Sequence, residues 1–203
     1  MRVVLASSNP GKLRELGALL APLGWKLVPQ TQLGISPVEE TGSTFLENAL
    51  LKARHAASVA QGAALADDSG IEVDALGGRP GVWSARYAGE GASDAQNLDK
   101  LLAQMRDVAA AGRTARYRCV IVFLADAAAE PLIGEGVWEG SLLRAPRGAG
   151  GFGYDPIFLP RGSMRSAAEM SAGEKDVLSH RAQALAALQL GLRASVARPL
   201  AAP

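Results

Sequence analysis

Short apolar runs of strand length alternate along the chain with longer stretches of helical spacing. RVVLA at the N-terminus is a β-branched run that SSNPG stops, and KLRELGALLAPLG then places leucines at helical intervals. Further strand candidates are WKLVP, AALA, IEVDAL, ARYRCVIVFLAD and PLIGEGVWEGSLL, the last as two short strands or a bent one. This interleaving predicts an α/β domain. Because strand candidates follow one another after Ala63 and after Ala115, we expect a mixed sheet rather than a purely parallel one.

Three later helices are predicted from spacing and from capping residues. They cover roughly residues 43–61, the run NLDKLLAQMRDV behind Ser93, and the run SHRAQALAALQLGL with Ser179 as N-cap. Two glycine-rich loops, GGRPGVWSARYAGEGAS and RAPRGAGGFGYDPIF, separate these elements. We expect one domain over residues 1–195 and a loose tail over residues 196–203.

Composition narrows the possible partners. The 203 residues carry a net charge of +1, so no broad basic field predicts a nucleic-acid surface, although a local anion site stays possible. The N-terminal apolar stretch, Val3 to Ala6, is too short for a signal-peptide core, and no apolar run approaches the length of a membrane span, so we expect no membrane contact and a cytoplasmic location. Cys119 lies in an apolar run and is expected to be a buried structural thiol. His55, His180 and one cysteine do not support a zinc site.

The segment SSNPGK lies between the first predicted strand and the first predicted helix. Backbone N–H groups, two hydroxyls and Lys12 near a helix N-terminus are suitable chemistry for binding phosphate. The segment is not a Walker A loop, because Ala6 stands where that motif has its first Gly and Leu13 where it has Ser or Thr. An ordinary strand-to-helix turn explains the same residues, so phosphate binding is one of two interpretations here.

The stretch LADDSGIEV ends one apolar run on two adjacent aspartates and then begins another. One interpretation is a surface hairpin, since Asp, Ser and Gly are common turn residues. The other is catalytic: an aspartate at a strand end binds a divalent cation and takes a proton from water, while Ser69 binds phosphate. Glu39 and Glu40 would supply a second carboxylate contact, although charged pairs in loops are usually only solvated.

Three further features also allow two interpretations each. GGFGYDP offers two aromatic rings and a carboxylate, which suit the stacking of a flat ring but also suit a bend packed into the core. His180 and Arg181 at a helix start either donate hydrogen bonds to a carbonyl of a ligand or lie at the surface. Thr44, Asn48, Lys52 and His55 share one polar face of the helix over residues 43–61, and that face is either surface or part of a site.

Five segments in order resemble the inosine triphosphate pyrophosphatase family, also called XTP/dITP diphosphatases. They are SSNPGKLREL, EETGSTFLENALLKA, ADDSGIEVDALGGRPGVWSARYAG, GGFGYDPIF and EKDVLSHRAQAL, and they run from the first strand to the last helix. The resemblance implies an α/β fold with an elongated mixed β-sheet flanked by helices, in two lobes with a central cleft. It also implies a homodimer and Mg²⁺-dependent hydrolysis of ITP, dITP and XTP to the monophosphate and pyrophosphate, which cleanses the nucleotide pool.

The resemblance further implies roles for single residues. Glu40 and Asp68 would attend the metal, and Asp68 would also accept the proton. The loop that would hold the triphosphate comprises Ser7, Ser8, Asn9, Pro10, Gly11 and Lys12. The other implied substrate contacts are Ser69, Phe152, Gly153, Tyr154, Asp155, Lys175, His180 and Arg181.

The implied reaction is consistent with the chemistry of these side chains. Cleavage between the α and β phosphates develops negative charge that Mg²⁺, Lys12 and Lys52 would stabilise. Donors from His180 or Arg181 would pair with a 6-oxo group and would be left facing the amino group of adenine. Two alternatives remain open: a Maf-like pyrophosphatase acting on modified pyrimidine nucleotides, and a nucleotide-binding regulatory module without turnover.

Overall fold

A computed structural model describes residues 1–197 of the chain, with side chains described through Arg193. The strands are β1 (Arg2–Leu5), β2 (Lys26–Pro29), β3 (Ala64–Val73), β4 (Thr114–Leu124), β5 (Leu132–Leu142) and β6 (Phe158–Pro160). The α-helices are α1 (Pro10–Leu20), α2 (Phe45–Ala60), α3 (Asp94–Gln104), α4 (Ala172–Leu178) and α5 (His180–Ala197). Helix α5 reaches Ala197, and the rest of the predicted tail, residues 198–203, lies outside the described part.

The strands form one six-stranded sheet in the order β2-β1-β3-β4-β5-β6. Strand β1 pairs parallel with both β2 and β3, whereas β5 and β6 are antiparallel. The prediction of an α/β fold with a mixed sheet is therefore confirmed. PLIGEGVWEGSLL forms the single strand β5 rather than two short strands.

The chain divides into two compact units. The first unit comprises residues 1–68, 120–136 and 181–203, and the second comprises residues 69–119 and 137–180. Strands β3, β4 and β5 each contribute residues to both units. The division falls after Asp68 and after His180, so neighbouring residues of two predicted site segments belong to different units.

The first unit has a core of small and branched side chains. Leu5 of β1, Leu16 of α1 and Leu65 of β3 are at most 2 % exposed. Helix α2 buries Ala49, Ala53 and two further alanines along one stripe. The small side chains on this stripe let the helix backbone lie close to its neighbours in this unit.

The second unit has a more aromatic core. Its buried cluster joins residues of β3, β4, β5, β6 and α3 with the segments on either side of β6. The members are Ile71, Val73, Leu98, Leu101, Met105, Ala115, Tyr117, Trp138, Leu142, Tyr154, Ile157, Phe158 and Ala167. Rings supply large apolar area at fixed geometry, so this core provides rigid support for the loops around it.

Two helices begin with a capping box. Ser93 caps α3 as predicted, and Thr44 caps α2, each paired with the residue three positions on. Ser179 is the C-cap of α4 and directly precedes α5, whose start the sequence predicted there. Within residues 1–197, no helix combines the length and apolar character needed to cross a lipid bilayer.

The hairpin interpretation of DDSG was wrong. Residues Ala64–Val73 form one continuous ten-residue strand that runs through both aspartates. Successive side chains of a strand point to opposite faces, so Asp67 and Asp68 are not forced side by side. Gly70 allows the second half of the strand to pack closely, because a Cβ there would lie 2.3 Å from the carbonyl oxygen of Gly81.

Candidate functional site

The first polar cluster lies wholly in the first unit, and Asp67 is its most buried acid. Its Oδ2 lies 3.0 Å from Nζ of Lys12 on α1 and 3.4 Å from Nε of Arg181 on α5. Arg181 also forms an ion pair with Glu15, and its side chain is only 2 % exposed. Burial by itself would raise the pKa of Asp67, but Lys12, Arg181 and Lys52 together hold that pKa well below its ordinary value. Asp67 is therefore ionised at neutral pH and forms ion pairs with Lys12 and Arg181.

The neighbouring Asp68 belongs to the same unit but has different partners. Its Oδ1 lies 2.9 Å from Nζ of Lys52, and the same ammonium lies 2.6 Å from Oε1 of Glu40. Nδ2 of Asn48 donates to Asp68 Oδ2 at 3.4 Å. Asn48 and Lys52 lie one turn apart on α2, so the predicted polar face of that helix meets the acid of β3.

Asn48 is held in turn by the loop before α2. Its Oδ1 accepts a hydrogen bond from the backbone N–H of Gly42 at 2.8 Å, and the side chain is fully buried. A Cβ on Gly42 would lie 2.7 Å from that oxygen and 2.6 Å from Cβ of Glu47. The glycine is thus required for the approach that orients Asn48 and, through it, Asp68.

Asp68 and Lys52 differ from Asp67 in their protonation chemistry. Burial raises the pKa of Asp68, and nearby Glu40 adds to this, while Lys52 and Lys12 only partly oppose it. Burial also lowers the pKa of Lys52, but Asp68, Asp67 and Glu40 outweigh that effect and raise it. A carboxylate with a raised pKa is better able to accept a proton, whereas Lys52 stays charged.

The loop SSNPGK forms the turn between β1 and α1. Asn9 caps α1, its Oδ1 accepting from the backbone N–H of Lys12 at 3.1 Å, and Pro10 occupies the first helical turn. Ser7 is buried and its Oγ accepts from the N–H of Asn9 at 3.2 Å, while Ser8 is exposed and Gly11 is buried. The helix start that presents Lys12 is thus well ordered by its own side chains, which is suitable support for an anion.

A divalent cation fits the donors of this cluster. Within the part of the chain that the structure describes, no group of three or more His, Cys, Asp or Glu side chains is placed to hold a metal alone. Glu40 and Asp68 do converge on one ammonium, however. Two carboxylates suit Mg²⁺, which keeps water ligands and takes further oxygens from substrate phosphates.

The second polar cluster lies in the second unit around Asp155. Its Oδ2 accepts from Nζ of Lys175 at 2.7 Å and from the N–H of Phe152 at 3.0 Å, and its Oδ1 accepts from the hydroxyl of Tyr117 at 3.3 Å. Both charged side chains of this ion pair are at most 8 % exposed. The ammonium of Lys175 also lies 5.4 Å from the ring centre of Phe152. Asp155 therefore fixes both the lysine and the loop that carries Phe152.

His180 lies against aromatic rings of the same unit. Its imidazole stacks on Tyr117 with ring centres 4.6 Å apart and planes 8° from parallel, and Trp138 lies 6.5 Å away at 17°. Tyr117 comes from β4 and Trp138 from β5. Two adjacent strands thus hold the imidazole plane in a fixed direction.

Hydrogen bonds also fix the loops beside this cluster. The N–H of Gly153 donates to Asp94 at 2.7 Å, and the hydroxyl of Tyr154 donates to the carbonyl oxygen of Ser84 at 2.8 Å. Burial raises the pKa of Tyr154, so the hydroxyl remains a donor. Ser84 Oγ accepts from the N–H of Ile71 at 2.9 Å, which joins this network to β3 just beyond Ser69.

Comparison with known proteins identifies the family. The model that describes the Ham1 family matches residues 3–190. The chain belongs to the Ham1 family. Two Ham1 proteins of known structure share its fold: one from Coxiella burnetii, with a TM-score of 0.86 and 47 % identity over 97 % of this chain and all of that one, and one from Staphylococcus aureus, with a TM-score of 0.84 and 37 % identity over 96 % of this chain and all of that one.

Curated relatives extend the likeness over nearly the whole chain. A protein of Methylococcus capsulatus named dITP/XTP pyrophosphatase is 57 % identical over 95 % of this chain and 96 % of its own length. A protein of Escherichia coli with the same name is 53 % identical over 95 % of this chain and 98 % of its own length. The family predicted from the five motifs is therefore confirmed, since these relatives carry its name.

The Ham1 chain also contains functional candidates to which sequence analysis assigned no role of their own. Glu15, Asp67 and Asn48 contact predicted site residues in the first unit, and Tyr117 does so in the second. Asn48 stood one helical turn from Lys52 on a polar face, which was a usable signal. Tyr117 lies in a strand pattern far from the His180 motif, and spacing along the chain carries no sign of their contact.

Proposed function

We propose that this protein is a Mg²⁺-dependent nucleoside triphosphate pyrophosphatase that converts ITP, dITP and XTP to the monophosphate and pyrophosphate. The observation that carries the proposal is the convergence of Glu40 and Asp68 on one ammonium beside Lys12, in a Ham1 chain. The names of the relatives from Methylococcus capsulatus and Escherichia coli support the substrate class.

The first unit would handle the triphosphate and the water. Glu40 and Asp68 would hold Mg²⁺, which supplies positive charge to phosphate oxygens. Asp68 would accept the proton of the attacking water, the general-base role that a positioned carboxylate can take. The loop from Ser7 to Lys12 and the ammonium of Lys52 would bind the phosphates and stabilise the charge that develops on the leaving pyrophosphate.

The second unit would select the base. Phe152 offers a ring for stacking, and the fixed imidazole of His180 would donate to the 6-oxo acceptor that inosine and xanthine share. Adenine presents an amino donor at that position, and each buried group left unpaired costs on the order of 1–3 kcal/mol. Ser69, Gly153, Tyr154, Asp155 and Lys175 would complete the contacts or hold them in place.

Arg181 has different contacts from its sequence neighbour His180. Its guanidinium pairs with Asp67 and Glu15, whereas His180 stacks on Tyr117. We retain Arg181 as a proposed substrate contact, as the resemblance implies.

Steady-state hydrolysis with product identification tests the proposal. We expect ITP, dITP and XTP to be cleaved much faster than ATP, with pyrophosphate as the released product and with activity lost on chelation of Mg²⁺. Release of orthophosphate, or equal rates for ITP and ATP, would overturn it. Including dTTP and UTP separates it from a Maf-like activity, and any turnover separates it from a binding module.

We further propose that the chain works as a cytoplasmic homodimer without nucleic-acid partners, and that residues 1–195 act as one domain. Sedimentation equilibrium of the purified protein tests the dimer, and a single cooperative unfolding transition tests the domain. A monomer at micromolar concentration, or two separate transitions, would contradict the respective prediction.

A further inference from the structure

One lysine occupies the place where two candidate metal ligands converge. Nζ of Lys52 lies 2.6 Å from Oε1 of Glu40 and 2.9 Å from Oδ1 of Asp68. The side chains of Lys52 and Asp68 are 13 % and 6 % exposed, so water screens their attraction only weakly. The ammonium thus holds the two carboxylates together from a largely buried position.

The carboxylate of Asp68 is oriented so that one oxygen faces Lys52. Its other oxygen accepts from Asn48 at 3.4 Å, and Asn48 is itself fixed by the N–H of Gly42 at 2.8 Å. Because Asn48 is fully buried, this support favours the orientation in which Oδ1 faces the ammonium. A second cation placed between Oδ1 and Glu40 would therefore compete with Lys52.

A lysine ammonium and a divalent cation make competing demands on this position. Mg²⁺ requires oxygen ligands at about 2.0–2.1 Å, with no hydrogen between ion and oxygen. The ammonium lies between Oε1 of Glu40 and Oδ1 of Asp68, so a cation that bridged these two oxygens would have to displace it. Its charge is single and is carried on a flexible four-carbon chain, so it can withdraw when a better partner is offered.

Displacement of Lys52 has a different cost for a free dication than for a dication that arrives with phosphate. The ammonium has Glu40 and Asp68 as acceptors in the nucleotide-free protein. A free dication that displaced Lys52 would leave the ammonium without these two acceptors. A triphosphate that arrived together with the dication would give the ammonium new acceptors, so the exchange would cost much less.

We propose, resting on the proposed function, that Lys52 is a placeholder cation. It holds Glu40 and Asp68 together in the nucleotide-free protein, competes with free divalent metal for them, and moves to the phosphates when metal and nucleotide arrive together. The protein therefore binds divalent metal weakly alone and tightly with nucleotide.

Direct metal binding to the nucleotide-free protein tests this role. Mn²⁺ serves as the probe, and binding is followed by the loss of the free-ion EPR signal at fixed salt. Lys52→Met keeps the length of the side chain and removes its charge, and we expect it to bind Mn²⁺ about tenfold more tightly than the wild type, or tighter still. Lys26→Met removes an exposed lysine of the same unit and should bind Mn²⁺ as the wild type does.

The two readouts of Lys52→Met move in opposite directions under this proposal. Metal affinity rises, while turnover of ITP falls because the ammonium no longer stabilises the phosphates. Mn²⁺ affinity equal to or below that of the wild type would overturn the placeholder role. If Lys52→Met does not fold, Lys52→Gln takes its place with the same expectation.

A wild-type measurement keeps the test independent of any variant. We expect the wild-type protein to bind Mn²⁺ about tenfold more tightly, or tighter still, when a non-hydrolysable ITP analogue is present. The binding of Mn²⁺ by the analogue alone is measured separately and subtracted. Equal affinity with and without the analogue would contradict the proposal. Wild-type hydrolysis of ITP with Mg²⁺ is scored separately, so failure of the placeholder role and failure of the proposed function are distinguishable.

Discussion

The two polar clusters are built in opposite ways. In the first unit, long cationic side chains from α1, α2 and α5 reach to acids of β3, and Lys52 divides its contacts between Asp68 and Glu40. In the second unit, His180 is held by the face of a ring and Asp155 by a backbone N–H, a hydroxyl and one lysine. The first cluster is held together by ion pairs whose partners can be exchanged. The second is held by ring stacking and hydrogen bonds that fix the direction of its side chains.

This difference corresponds to what each cluster is proposed to bind. Phosphates and a dication bring several charges at once, and a cluster of mobile lysines can redistribute its counter-ions when they arrive. A purine ring brings no net charge and differs from its rivals at single edge atoms, so discrimination requires donors that hold their direction. In the first unit, we expect substitutions that change charge to have the larger effects on activity. In the second unit, we expect substitutions that change the shape of a side chain to have them.

The largest effect is expected for the charge of Asp68. Asp68→Asn keeps the shape of the side chain but removes its capacity to accept a proton, so turnover of ITP should fall by about 10²–10⁴-fold. Nucleotide binding should persist, because Lys12 and the loop around it are unchanged. Stopped-time assays of pyrophosphate release and calorimetric titration with a non-hydrolysable ITP analogue measure the two quantities.

Asp126→Asn provides the matched control for that variant. Asp126 is exposed, belongs to the same unit and should tolerate the change with wild-type turnover. If Asp68→Asn turns over ITP as fast as the control does, Asp68 has no part in the chemistry and the first cluster is only structural.

The next effect concerns stability rather than turnover. Asp67 has no exposed side-chain surface, and its negative charge balances the positive charges of Lys12 and Arg181. Asp67→Asn leaves these cations without that charge, and removing one partner of a buried pair costs about 3–5 kcal/mol. Urea unfolding at neutral pH measures the loss, and a change below about 1 kcal/mol would show that the pairing is weak, as surface pairs are.

The pH dependence of that loss follows from the lowered pKa of Asp67. The folded chain binds a proton at Asp67 less readily than the unfolded chain, so ionisation contributes stability that is complete above the ordinary value of 3.8. As the pH falls below that value toward the folded pKa, the contribution is lost in the wild type and not in Asp67→Asn. The stability difference between the two proteins should therefore narrow only in that acidic range, and a difference that is constant with pH would contradict the assignment.

Much of the first cluster could be predicted from sequence because its residues lie in compact motifs. SSNPGK was placed at a strand-to-helix turn, and Asn48 and Lys52 were placed on one face of α2. Helical and strand periodicity also identified every α-helix longer than one or two turns and the mixed character of the sheet. These features depend on local spacing, which a single sequence reports well.

The errors came from contacts between distant parts of the chain. DDSG has the composition of a turn, but it continues as a strand because helices far away in sequence supply cations to each aspartate and Ser84 accepts from the N–H of Ile71. Such ion pairing lowers the free-energy cost of burying a carboxylate, and no local sequence pattern reveals it. The same limit concealed Tyr117 as the support of His180.

The smallest effect concerns the shape of the second cluster. Tyr117→Leu removes the ring that stacks on His180 at 4.6 Å, and aromatic pairs contribute about 0.5–1.5 kcal/mol beyond buried area. We expect KM for ITP to rise by up to about tenfold with kcat nearly unchanged, because the imidazole loses its direction while the first cluster is intact. The preference for ITP over ATP should fall by a similar factor.

Tyr117→Phe separates the ring from the hydroxyl. It keeps the stack and loses only the 3.3 Å hydrogen bond to Asp155, which retains Lys175 at 2.7 Å and the N–H of Phe152 at 3.0 Å. We expect a change in KM of about threefold or less, since one long neutral-donor bond among three contributes little. If Phe and Leu reduce the ITP preference equally, the hydroxyl rather than the ring positions the cluster. If Tyr117→Leu lowers kcat and leaves KM unchanged, the second cluster does not act by holding His180 in a fixed direction. The proposed difference between the two clusters would then be wrong.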